Sequence, residues 1–295
     1  MTMNKTLFVL GYASDVAGGG PGSAKGPSVL QQSSYLAALH EQGLNLHWQS
    51  MITAHKPFKS SLTQVGELCN ELARDVAQLV QKKQFFLVLG GDHTSAIGTW
   101  SGASVVKKNQ GPLGLIWIDA HMDSHTPQTT LSGNMHGMPL ACLLGHGENR
   151  LTHLAGNAPK LHPEYVCLIG VRSYEEHEAQ LLNQLNVRVF YKDEIKQRGL
   201  VAVLRDAIQI VTNHTAGYGI SIDIDSIDPK EAPGTGVTEP GGLSANELCH
   251  ALTLFVDDAR LIGVEIAEFD PSRDSAQMTE KLIAKIITAF TKGDA

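Results

Sequence analysis

Short apolar runs bounded by glycine or aspartate recur along the chain, at residues 7–10, 85–89, 115–118, 165–169 and 219–222. Runs of four or five apolar residues without polar alternation read as strands buried on both faces, the habit of parallel sheets. Between them, the segments 62–81, 175–185, 200–212, 245–255 and 279–290 carry apolar residues at helical spacing. Alternation of buried strand and amphipathic helix predicts an α/β protein, a three-layer α/β/α sandwich around a mainly parallel sheet. With no low-complexity tract, long linker or internal repeat to divide it, residues 1–295 are expected to form a single domain.

Composition agrees with a globular enzyme. Hydrophobic residues make up 42% of the 295, enough for a large core, and the formal charge of -7 argues against nucleic-acid or anionic-membrane partners. The first apolar run is too short for a signal segment, and no stretch approaches a membrane span, so the cytoplasm is the expected compartment. Cys69, Cys142, Cys167 and Cys249 lack CxxC spacing and read as reduced core residues. The glycine-rich stretch from Gly18 to Pro27 could expose backbone N–H groups to an anion, but Lys25 is followed by Gly26 and Pro27, which breaks the nucleotide-loop pattern. A loop with Pro27 opening a helix is the better reading.

Three clusters carry chemistry, and each follows a strand-like run, where open α/β sheets place ligands. They are Gly90-Gly91-Asp92-His93, then Asp119-Ala120-His121-Met122-Asp123, then Asp223-Ile224-Asp225 with Ser226-Ile227-Asp228-Pro229. In an extended chain, residues two apart share a side, so Asp119, His121 and Asp123 can converge, as can Asp223 and Asp225. Singly, an Asp-His pair is usually a helix cap or a satisfied surface histidine, and a DxD says little more; three clusters in one chain point to metal. Four carboxylates and two imidazoles exceed what one tetrahedral ion needs, and packed aspartates repel unless cations neutralise them. Oxygen-rich ligation with imidazole and no thiolate suits two Mn2+ ions, with Co2+, Ni2+ or Zn2+ as alternatives. Such ions acidify a water between them and so make a nucleophile at neutral pH.

Together these motifs, over nearly the whole chain, resemble the ureohydrolase family of arginases, agmatinases and formimidoylglutamases. The resemblance implies an arginase-like fold and a binuclear manganese site with His93, Asp119, Asp123 and Asp223 around one ion. His121, Asp119, Asp123 and Asp225 would serve the other. It assigns His136, in Ser132-Gly133-Asn134-Met135-His136, to proton transfer, and Glu268, in Glu265-Ile266-Ala267-Glu268-Phe269, to the guanidinium group; Glu265 is the competing residue. Histidine suits proton transfer because it titrates near neutrality, and a carboxylate can hold a guanidinium bidentately. Asp123 is expected to share the proton transfer with His136. Asp228 is expected to hold its turn with Pro229 rather than bind metal.

Within the family, residues 126–139 look most like the arginase version, in which the Ser132 and Asn134 positions bind the substrate carboxylate. This favours a small guanidino substrate, L-arginine, cleaved to L-ornithine and urea. Three residues depart from that pattern: His125, in place of an asparagine, is still expected to pair with the carboxylate when protonated, Glu175, in place of an aspartate, to hold the ammonium group, and Val237 replaces a threonine. Agmatine or another guanidino acid is therefore the next candidate, then formimidoylglutamate; a deacetylase-like or non-catalytic relative is the alternative of a different class. The resemblance also implies a homo-oligomer, a trimer or hexamer.

Overall fold

The structure, a computed structural model, describes residues 6–18, 20–55, 58–157 and 159–293. Met1 to Lys5 and Gly19, which belong to stretches discussed above, lie outside the described residues, as do the chain's last two. Eight strands form one sheet: β1 (Thr6–Ala13), β2 (Asn45–Thr53), β3 (Phe86–Gly90), β4 (Gly114–Ile118), β5 (Val166–Val171), β6 (Arg188–Tyr191), β7 (Tyr218–Asp223) and β8 (Leu261–Ala267). Their order is β2-β1-β3-β8-β7-β4-β5-β6, and every pairing is parallel.

Successive strand residues face opposite sides, so one run feeds two cores. Leu87, Leu89, Ile116, Ile118, Ile220 and Ile222 pack on one face with the helices Leu200–Thr212, Ala245–Leu252 and Met278–Lys292. Phe86, Val88, Leu115 and Trp117 pack on the other with Ser61–Gln81 and Ser95–Lys107. Helices cover both faces, which is why the central strands are uninterrupted by solvent-facing polar positions.

Helix Ser61–Gln81 begins where the Ser60 hydroxyl accepts from the Thr63 N–H at 3.2 Å, and its buried residues, from Val65 to Val80, follow a three-or-four spacing. Helix Ser95–Lys107 packs closely on it because Gly102 has no side chain; a Cβ there would lie 2.3 Å from the Ala73 carbonyl oxygen. Past the glycine-rich stretch, Pro27 stands in the first turn of helix Gly26–Gln31, as its fixed φ favours.

Candidate active site

Four neighbouring strands, β3, β8, β7 and β4, end at the same edge of the sheet, and each delivers chemistry there. Asp92 and His93 follow β3, and the stretch from Asp119 to Asp123 follows β4. Asp223 closes β7 with Asp225 in the single turn Ile224–Ser226, and Glu268 follows β8. Asp123 and Glu268 have φ of 47° and 66°, the left-handed region that side chains disfavour. Hydrogen bonds hold both there: Glu268 N–H donates to the Gly91 carbonyl at 2.8 Å, and the Asp123 carbonyl accepts from Leu140 N–H at 3.0 Å. Six other described non-glycine residues share a positive φ, but these two carry side chains of the site.

The His93 ring is buried and stacks on Trp117 with centroids 4.3 Å apart. Its Nε2 lies 3.0 Å from the Ser221 hydroxyl, which donates its proton to Glu265 Oε2 at 2.8 Å. A hydroxyl has one proton, so Ser221 must accept from Nε2–H, and when His93 is neutral its lone pair is on Nδ1. That atom lies 3.1 Å from Asp123 Oδ2, 3.1 Å from Asp223 Oδ2 and 3.3 Å from Asp119 Oδ2, and it is buried with no hydrogen-bond partner. Glu265 is itself held by Ser95 Oγ at 2.6 Å, Thr99 Oγ1 at 3.3 Å and Trp100 Nε1 at 3.1 Å. Trp100 can reach it because β7 carries Gly219, where a Cβ would fall 2.0 Å from the indole ring.

His121 presents Nδ1 to the same cluster, 2.9 Å from Asp225 Oδ2 and 3.6 Å from Asp119 Oδ1. Asp119 is anchored by Trp117 Nε1 at 2.8 Å and His121 N–H at 2.7 Å, and Asp225 Oδ1 accepts from Ala120 N–H at 3.2 Å. Burial, reinforced by the Asp119 charge, pushes Asp123 up to about 7. Burial and neighbouring acids raise Asp223 and Asp225 too, whereas in Asp119 burial is overcome by His121 and His93, which are protonated when no cation is bound and hold it low.

Four buried acids therefore cannot all ionise on the protein's own charges. A lone pair without a partner, facing three carboxylate oxygens, fits a divalent cation. Two sets of ligand atoms meet within 4.8 Å: His93, Asp119 and Asp123, and Asp119, His121 and Asp225. Asp119 belongs to both, while Asp123 belongs only to the first.

Above this cluster opens a cavity of about 300 Å³, lined by His121, Asp123, Asp223 and Asp225 on its floor and by His136 and Glu268 on its wall. His136 lies in the turn Met135–Gly137 with Nδ1 3.3 Å from Glu268 Oε1, which also accepts from His93 N–H at 2.9 Å. Burial disfavours the imidazolium, but Glu268 outweighs it and raises His136 to about 9. The His136 N–H reaches the Ala17 carbonyl at 3.3 Å, and Ala17 N–H donates to buried Asp92 at 3.2 Å. Asp92 thus ties the loop after β1 to the turn bearing His136; burial, then the Glu268 charge, raises it to about 6.

His125, Ser132, Asn134 and Glu175 all line the outer part of this cavity, as does Val237. His125 Nε2 is 3.3 Å from Glu178 Oε2 and 3.6 Å from Glu175 Oε2, and its Nδ1 lies 3.2 Å from Thr129 Oγ1. Glu265, the competing residue for a guanidinium, lies fully buried beneath His93 and does not line the cavity. Asp228 accepts from Lys230 N–H and Gly241 N–H and so joins two loop segments.

Sequence reasoning gave no role to Trp117, Ser173, Glu178 or Glu239, and none to Thr235, whose buried Oγ1 borders the cavity without a partner. The register of β7 on β8 pairs Ser221 with Glu265, and no local motif marks that pair.

Comparison with known proteins gives concordant matches. The model of the Arginase family matches residues 5–292. An arginase of Brevibacillus brevis is 35% identical over 97% of this chain and 98% of its own. The crystal structure of arginase from Bacillus subtilis superposes with a TM-score of 0.90 at 32% identity, covering 98% of this chain and 99% of that one. That of Entamoeba histolytica arginase in complex with L-ornithine superposes with a TM-score of 0.88 at 26% identity, covering 98% and 99%.

Proposed function

The chain belongs to the arginase family, and on that premise we propose that it hydrolyses the guanidino C–N bond of L-arginine to give L-ornithine and urea. The observation that carries this reading is the single cavity that gathers a His/Asp cluster, a carboxylate for the guanidinium and an imidazole for the proton.

Two divalent ions fit the reading, Mn2+ first and Co2+, Ni2+ or Zn2+ as alternatives. His93, Asp119, Asp123 and Asp223 would hold one, and His121, Asp119 and Asp225 the other. Bound there, the ions supply Lewis acidity and bring the pKa of water toward neutrality. Glu268, with oxygen lone pairs to spare beyond the bond to His93 N–H, grips the guanidinium and fixes the trigonal carbon above the floor. The unpartnered Thr235 hydroxyl offers a further acceptor where Val237 offers none. Water oxygen bonds to the guanidino carbon as one of its protons passes to Asp123; His136 protonates the departing nitrogen as the C–N bond breaks, then recovers a proton from the new urea hydroxyl, and Asp123 gives its proton to the freed amine. At the outer end, Ser132 and Asn134 suit an α-carboxylate and Glu175 an α-ammonium group; His125, tied to Glu175 and Glu178, braces that wall.

The unbroken sheet supports reading residues 1–295 as one ureohydrolase unit. Self-association as a trimer or hexamer and residence in the cytoplasm follow from the family reading alone. Among the described residues, no helix is long and apolar enough to cross a membrane. The test is to load metal-free protein with Mn2+, Co2+, Ni2+ or Zn2+ and assay arginine, agmatine and formimidoylglutamate for urea or formamide. Urea from arginine with Mn2+ is expected; faster turnover of agmatine would overturn the assignment.

A further inference from the structure

His121 turns Nδ1 toward Asp225 and Asp119, so its other nitrogen, Nε2, points away from them, and there the ring meets Glu239 with Oε1 3.7 Å from Nε2. Glu239 does not hang freely. The same Oε1 accepts from the Ser173 hydroxyl at 3.0 Å, and the Glu239 carbonyl accepts from Arg172 Nη2 at 2.7 Å. That guanidinium also donates to the Asp225 carbonyl at 2.6 Å and, through Nη1, to the Ser226 carbonyl at 3.2 Å. Arg172 and Ser173 are in turn tied by their N–H groups to the Ala120 carbonyl, next to His121, at 2.9 and 3.0 Å. Four segments distant in sequence are thus locked together around one imidazole. The side chains of His121 and Glu239 are 25% and 30% exposed, so on the Nε2 side this frame stands between the ring and water.

We propose that Glu239, held by Ser173 and Arg172, is the positioning residue that fixes His121 with Nε2–H toward a carboxylate and Nδ1 toward a metal ion. This rests on the metal reading given above. A carboxylate behind a ligating imidazole orients the ring, selects its tautomer and strengthens its donor nitrogen, and loss of such a partner costs about 10–100-fold in metal affinity. For a partner open to water the low end, about tenfold, is expected.

The test compares wild-type protein, Glu239→Gln and Ser173→Ala, each stripped of metal and titrated with Mn2+ by calorimetry. Wild type is expected to bind two ions, and Glu239→Gln to bind one of them about tenfold more weakly while keeping the other, with Ser173→Ala changed in the same direction. In Zn2+-loaded protein, the 15N resonances of the His121 ring should shift in Glu239→Gln while those of His93 stay in place, which a general loosening of the fold would not produce. Wild type that binds two ions while Glu239→Gln binds both with unchanged affinity and an unmoved His121 ring would overturn this inference alone. Wild type that takes up no Mn2+ would overturn the metal reading and this inference with it.

Discussion

His93 and His121 both present Nδ1 to one acidic cluster, and what stands behind them differs. Behind His93 lie Trp117, Ser221 and Glu265, all buried, with three further donors from one helix closing on Glu265. Behind His121 lie Ser173, which lines the cavity, and Glu239, whose side chain is 30% exposed, so water can replace a lost contact. A relay sealed from water has no substitute when one member is removed, because each stranded donor keeps its full desolvation cost. An exposed one degrades gently. The two halves of the site should therefore respond unequally to comparable changes, although they share Asp119.

The shared residue gives the largest effect. Asp119→Ala removes an oxygen from both ligand sets, so activity should fall beyond the roughly 10²–10⁴-fold that a proton-transfer group contributes. Metal analysis of the variant should find both ions depleted. Full retention of one would show that the halves do not meet at Asp119.

His136→Asn lies outside both halves. It should lower kcat by about 10²–10⁴-fold with metal content unchanged, since His136 contacts Glu268 and not the acidic cluster. Loss of metal from this variant would erase the division between floor and wall.

Glu265→Gln and Ser221→Ala probe the sealed half. Metal affinity on the His93 side should drop toward the 100-fold end of the roughly 10–100-fold range. For Glu265→Gln a stability loss of about 1–3 kcal/mol should accompany it, because Ser95, Thr99, Trp100 and Ser221 all donate to that carboxylate. If Glu239→Gln cost as much in calorimetric titration and chemical denaturation, the inequality of the halves would be refuted.

The last effect is electrostatic. In metal-free protein, Glu268 raises His136 from an ordinary value near 6.5 to about 9, so the pair stabilises the folded state fully below the lower value. That contribution is lost as pH rises through the higher one. The melting temperature of wild type over His136→Gln should thus show an advantage at pH 6 that is gone by alkaline pH. A difference independent of pH would mean the His136 proton plays no part.

The sequence made some of this legible and concealed the rest for physical reasons. Strands β3, β4, β5 and β7 were readable because burial on both faces leaves unbroken apolar runs. β8 is equally central, yet Glu265 interrupts its run with a charge-bearing residue, so it does not read as a buried strand. Helix Ser95–Lys107 shows no amphipathic stripe because small residues such as Gly98, Ala103 and Gly102 are buried on all sides. β2 is an edge strand with alternating exposure and a polar face, a weaker signal than its central neighbours. In the site, the expected ligands were visible because they cluster within windows of a few residues. Glu239 was not, since its approach to His121 depends on a loop more than a hundred residues further along.

Trp117 carries a last consequence. Its ring lies against His93 and its Nε1 donates to Asp119, whereas Trp100 lies against Glu265 and Trp48 on the edge strand β2. One of three indoles is therefore an optical reporter placed beside the cluster. A paramagnetic ion such as Mn2+ arriving there should dim its emission, while Zn2+, with a closed d shell, should leave most of the light. The chain's own fluorescence would then tell Zn2+ from an open-shell ion, with no dye attached and no substrate added.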